Sequence, residues 1–134
     1  MICRRVVVTV LGAFCSVTAL ADLDKPTVID RVYVHPQTKQ AALALIANYP
    51  LDQARDKLDA KLSTYTRYVE SGKLYEQYPQ VVRTLPVVVT LTVMVPPNTQ
   101  ARELLSAKKA GLEKQGFEVW INIYDPKTKE LRRE

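Results

Sequence analysis

One imidazole, three serines and a scatter of carboxylates are all that residues 22–134 offer for acid–base or nucleophilic chemistry. A Ser-His-acid triad would have to use His35 as its base, and neither Ser63, Ser71 nor Ser106 sits in a G-x-S-x-G elbow. Zinc asks for four nitrogen or sulfur ligands in a structural site and usually three protein ligands in a catalytic one. One histidine and no cysteine in that stretch fall short of either. The glycines stand singly, at Gly12, Gly72, Gly111 and Gly116, so no loop could cradle a phosphate. A hydrolase working by carboxylates such as Asp30, Glu70 or Glu76 would need two of them to converge in a cleft with shifted pKa values. No catalytic, metal or cofactor-binding residue is therefore expected, and the expectation is a protein that is not an enzyme.

Residues suited to recognition are better represented. Arg31, Tyr33 and His35 alternate with apolar residues in one segment, and Trp120, Asn122 and Tyr124 do so in another. If both segments are strands, these six side chains face away from the core and join Thr90, Thr92 and Met94 on an outer sheet face. Tyr, Trp, Arg and Met are enriched at protein interfaces. The competing reading is that they are cross-strand pairs that stiffen a wet sheet. A second aromatic group, Tyr65, Tyr68, Tyr75 and Tyr78, surrounds a predicted helix end. Its simplest role is structural, with Tyr65 in the core and the others clamping the connector by way of their hydroxyls.

The elements that position these groups follow from periodicity. Val28–His35 alternates as a strand, with Val28, Val32 and Val34 on one face, and Ala41–Ala47 resumes as its hairpin partner across the turn Pro36-Gln37-Thr38-Lys39. Ala54, Leu58, Leu62, Tyr65 and Val69 make one face of a helix capped by Asp52 and ended by Gly72. Lys73–Arg83 reads as an irregular connector. Leu85–Val95 carries apolar residues at every second position, which predicts a strand with one buried face. Pro96 and Pro97 stop it. Asn98 or Thr99 caps a second helix, which runs to Gln115 before Gly116. Phe117–Tyr124 then points Phe117, Val119, Ile121 and Ile123 inward, and a short terminal strand follows. Asp125-Pro126-Lys127-Thr128-Lys129 echoes His35-Pro36-Gln37-Thr38-Lys39, as one turn used twice. The order β-β-α-β-α-β predicts a two-layer α+β or α/β sandwich, with a mixed sheet and both helices on one face.

The first residues are basic at Arg4-Arg5, apolar over Val6–Leu20 and end in Ala19-Leu20-Ala21, the three parts of a secretory signal. The apolar run is short for a span and broken by Thr9, Gly12, Ser16 and Thr18. The expected organisation is a signal peptide over 1–21 cleaved after Ala21, a linker over 22–26 and one domain over 27–134, periplasmic or secreted, with no membrane anchor left after cleavage. Arg4-Arg5 lacks the flanking residues of twin-arginine export, and Phe14 is bulky where lipidation of Cys15 would want a small residue. Losing the leader removes both cysteines and lowers the formal charge from +5 to +3, too mild and too scattered a balance for nucleic acid.

The run from Lys61 to Pro79 carries a resemblance. Lys61-Leu62, Tyr65, Tyr68-Val69-Glu70-Ser71-Gly72-Lys73-Leu74-Tyr75-Glu76-Gln77-Tyr78-Pro79, with Ile29-Asp30 before and Gly116-Phe117-Glu118 after, resembles a family of small bacterial proteins of unknown function. The resemblance implies one α/β domain over about residues 27–125, with no activity, substrate or cofactor. It also implies a cytoplasmic setting for the relatives, from which this chain departs by its leader.

Taken together, these features predict a non-enzymatic periplasmic domain with a protein partner, an immunity-type inhibitor being one form. The alternatives are a binder of small envelope ligands or polymers, which needs an apolar pocket, and the carboxylate hydrolase.

Overall fold

The computed structural model describes residues 2–4, 28–29 and 31–133. The expected leader beyond Arg4, the linker at 22–26 and Asp30 lie outside the described residues. The chain forms β1 (Ile2–Arg4), β2 (Arg31–Val34), β3 (Ala41–Ala47), a 3-10 turn (Leu51–Gln53), α1 (Arg55–Glu70), α2 (Lys73–Gln77), β4 (Val88–Val93), α3 (Thr99–Lys114), β5 (Glu118–Asp125) and β6 (Glu130–Arg133). The six strands lie side by side in sequence order in one mixed sheet. β3, β4 and β5 run parallel, while β1–β2, β2–β3 and β5–β6 are antiparallel pairs. The expected α+β sandwich is present, with the short terminal strand as β6 and with one edge strand, β1, and a third, short helix added. β1 comes from residues that the sequence reading assigns to the leader.

Alternation in the strands decides the layers. Val32, Leu43, Val89 and Val119 form one cross-strand row, and Leu45, Leu91 and Ile121 form the next. All are buried, and they share a single core with Leu58, Leu62 and Tyr65 of α1, Leu74 of α2, and Ala101, Leu104, Leu105 and Leu112 of α3. The helices thus cover one side of the sheet. Burying a Leu or Val side chain is worth about 1.5–3 kcal/mol, so Leu45→Ala or Leu91→Ala would cost about 2–5 kcal/mol once the cavity is counted.

Several boundaries depart from the sequence reading, each for a physical reason. Ile29 is buried and Val28 only partly so, so the phase of alternation does not extend back through residue 30. Asp52 is not a helix cap. It lies in the 3-10 turn, whose start Pro50 fixes, and α1 begins after Ala54 with no side chain on its free N–H groups. The connector expected to be irregular contains α2, which starts directly from the left-handed Gly72 at φ +83°. Leu85 is 37% exposed rather than inward. Pro86 follows it, has no N–H to give a ladder, and the strand begins only at Val88. Other expectations stand as read. Asn98 Oδ1 accepts from the Ala101 N–H at 2.8 Å as the cap of α3, and Gly116 takes φ +96° after it.

The two echoing turns are one structure used twice. The Lys39 N–H donates to the His35 carbonyl at 2.9 Å, and the Lys129 N–H to the Asp125 carbonyl at 2.7 Å. Lys39 and Lys129 adopt φ +62° and +59°. The side chain before each proline accepts main-chain N–H groups. His35 Nδ1 takes Gln37 and Thr38, and Asp125 Oδ1 takes Lys127.

Candidate interaction surface

The side of the sheet turned away from the helices carries Arg31 and Tyr33 on β2, and Trp120, Asn122 and Tyr124 on β5. All five are partly exposed, and none belongs to the core shared with the helices. The register sets their spacing. Arg31 pairs with Ala44, Ala44 with Thr90, and Thr90 with Trp120. The two groups of large side chains are therefore not neighbours; β3 and β4 lie between them. Within each group there are specific contacts. Arg31 Nη1 donates to the Tyr33 hydroxyl at 3.3 Å. The Arg133 guanidinium of β6 lies 4.0 Å from the centre of the Trp120 ring, a cation–π stack worth about 0.5–1 kcal/mol at an exposed site.

His35 follows the last residue of β2 and is partly exposed. Its Nδ1 is taken up by the Gln37 and Thr38 N–H groups, so it organises the turn. Of the carboxylates, Glu70 and Glu76 are exposed, and Asp30 lies outside the described residues. Among the described residues no group of three or more His, Cys, Asp or Glu could hold a metal ion, and no helix is long and apolar enough to cross a membrane.

The signature tyrosines hold the helical layer together. Tyr65 is fully buried and donates its hydroxyl to the Ala44 carbonyl at 2.7 Å. Tyr68 donates to Gln77 Oε1 at 2.5 Å, tying the end of α1 to the end of α2. Burial pushes the Tyr68 phenol above its ordinary range, and the neighbouring Tyr78 adds to the shift. Tyr78 is buried, and Tyr75 carries the Arg83 guanidinium 4.3 Å from its ring centre. Lys61 is also fully buried, with its ammonium 5.8 Å from the centre of the Tyr65 ring. Sequence reasoning missed it, although Lys61 stands three residues after Leu58 and four before Tyr65, on the same helical face.

The outer side of the helices carries a groove of about 510 Å³ between α1 and α3. Asp59, Arg67, Glu70 and Lys108 are among its lining residues, and Lys108 pairs with Asp59 across it. This is a charged, open furrow, unlike the apolar pocket a small ligand needs.

A model for a family of unknown function, DUF6572, matches residues 22–125. The chain belongs to that family. The DUF6572 region takes in β2 to β5 and the three described helices, so it holds both the signature tyrosines and the six sequence-predicted surface residues. It leaves out β1 and β6, and with β6 the Arg133 that stacks on Trp120. Comparison with curated proteins and with solved structures gives no match.

Proposed function

We propose that this domain is a non-enzymatic protein-recognition module that works in the periplasm or outside the cell after cleavage following Ala21. One observation carries the binding part. The side of the sheet turned away from the described helices presents Tyr33, Arg31, Trp120, Asn122 and Tyr124 partly exposed, on strands whose other faces are locked into the core. A rigid scaffold with aromatic and arginine side chains held out from it suits recognition, because little side-chain freedom remains to be lost on binding. The leader-like start at 1–21 supports the location. Blocking an incoming toxin in the envelope is one concrete form of such a function. Cleavage would also remove β1 and leave β2 as the sheet edge.

A photo-crosslinking residue placed at Tyr33 tests the reading against one placed at Ser106, which is exposed on α3. Expressed with its leader in a Gram-negative host, the Tyr33 variant is expected to give a discrete crosslinked product in the periplasm and the Ser106 variant none. Equal labelling from both positions would contradict the proposal.

A further inference from the structure

Leader cleavage would give the sheet two edges of different character. β6 reads Glu130-Leu131-Arg132-Arg133, exposed throughout and charged everywhere but at Leu131. Charged side chains guard an edge strand against pairing with another chain. β2 reads Arg31-Val32-Tyr33-Val34, with no charge after its first residue. Its guard is β1, which the cleavage takes away.

The ladder fixes which groups of β2 then lose their mates. The His35 N–H donates to the Gln40 carbonyl at 2.9 Å. By alternation, Tyr33 and Arg31 also direct their main-chain groups toward β3, opposite Ala42 and Ala44. The N–H and C=O groups of Val32 and Val34 point the other way, toward β1, where Val34 lies opposite Ile2 and Val32 opposite Arg4. A strand therefore fits at this edge without obstruction. Once β1 is gone, water or another strand must take up those groups.

A second β2 matches them. Directly opposed residues of an antiparallel pair lie on the same face of the sheet. A two-fold axis at Tyr33 sets Tyr33 opposite the partner's Tyr33 on the outer face, and Val32 opposite the partner's Val34 on the core face. Every freed group of Val32 and Val34 then has a mate. Other registers do worse. An axis at Val34 would match Val32 with Pro36, which has no N–H. An axis at Val32 would match Val34 with a residue before the start of β2.

We infer that, after cleavage following Ala21, β2 pairs antiparallel with the β2 of a second copy. The product is a symmetric dimer with one continuous sheet and both outer faces on the same side. In the precursor β1 holds the same edge, so removal of the leader permits assembly. The inference rests on the cleavage and not on the recognition of another protein.

The test uses processed protein recovered from the periplasm after expression with the leader. Sedimentation should show a reversible dimer. Tyr33 is partly exposed on the outer face, so charge can be placed there without entering the core. Tyr33→Lys and Tyr33→Asp, each alone, would set like charges opposite one another and should weaken the dimer at least about tenfold. Mixing the two variants should restore a dimer, which also shows that both are folded.

A second measurement reads the register. The processed chain contains no cysteine. Opposed residues of a non-hydrogen-bonded antiparallel pair have Cα atoms about 4.5 Å apart, within the span of about 4.4–6.8 Å that a disulfide bridges. Tyr33→Cys should therefore give a covalent dimer on mild oxidation, whereas Tyr124→Cys, on β5 of the same face, should not.

A folded monomer that begins at Asp22 would overturn the dimer and leave the recognition reading standing. So would a dimer that both charge variants retain, or equal oxidation of the two cysteine variants. A monomer that still carries its leader would overturn the dimer together with the cleavage. In the periplasmic crosslinking experiment, a Tyr33 product of twice the mature mass supports the dimer, and one of another mass supports a separate partner.

Discussion

The hydroxyl of Tyr65 donates to the main-chain carbonyl of Ala44 at 2.7 Å, so a fully buried residue of α1 holds β3, whose Ala44 side chain lies on the opposite face of the sheet. Tyr65→Phe keeps the ring and removes only the donor. The expected result is a loss of about 1–2 kcal/mol in unfolding free energy, read from the urea midpoint with an unchanged m-value. An unchanged midpoint would mean that the bond contributes nothing.

Gly72 and Gly111 make opposite predictions from the same surroundings. Neither would bring a Cβ within 4 Å of another atom, so backbone conformation alone decides the sign. Gly72 sits at φ +83° between α1 and α2, and Gly72→Ala should cost about 1 kcal/mol, with Gly72→Val costing more. Gly111 lies inside α3 without positive φ. Gly111→Ala should stabilise by about 0.5–1 kcal/mol. Thermal melts of the two alanine variants should move in opposite directions; a shift of both the same way would contradict the boundary at Gly72.

The architecture was legible where pattern and punctuation agreed. Asn98 and Gly116 bracket α3, and the alternation of Phe117, Val119, Ile121 and Ile123 places the inner face of β5. It was less legible where two signals compete. Leu85 continues the period-two run of β4, but Pro86 breaks the ladder and leaves it exposed. Lys61 lies on the buried face of α1 by spacing, while its charge argues for the surface; its long stem is what lets it pack inward. The outward residues of the candidate surface could be read from alternation. Their separation could not, because strand order is a tertiary property. Only the register shows that Ala44 and Thr90 stand between Arg31 and Trp120. The pairing of Asn122 with Arg133 likewise brings Arg133 beside Trp120.

Tyr68 predicts the alkaline limb of stability. Its phenol is pushed up by burial, so above about pH 10 the unfolded chain loses that proton before the folded one does. The stabilising contribution is complete below the unfolded value and is lost as pH rises toward the folded one. Urea midpoints of the wild type should therefore fall more steeply from about pH 9.5 to 11.5 than those of Tyr68→Phe. Parallel slopes would show that Tyr68 ionises alike in both states.

Export makes a prediction that mass spectrometry reads directly. Protein recovered from the periplasm should begin at Asp22, carry no cysteine and keep the cooperative unfolding of a single domain. An intact Met1 start on protein confined to the cytosol would contradict the location.

The most direct measurement is calorimetric. Once crosslinking through Tyr33 has identified the partner, its affinity is measured for the mature domain and for Trp120→Ala, alongside the unfolding free energy of each. The account predicts that affinity falls by more than about 1 kcal/mol while stability stays within about 0.5 kcal/mol. Equal affinity, or a loss of binding that tracks a loss of folding, would contradict it.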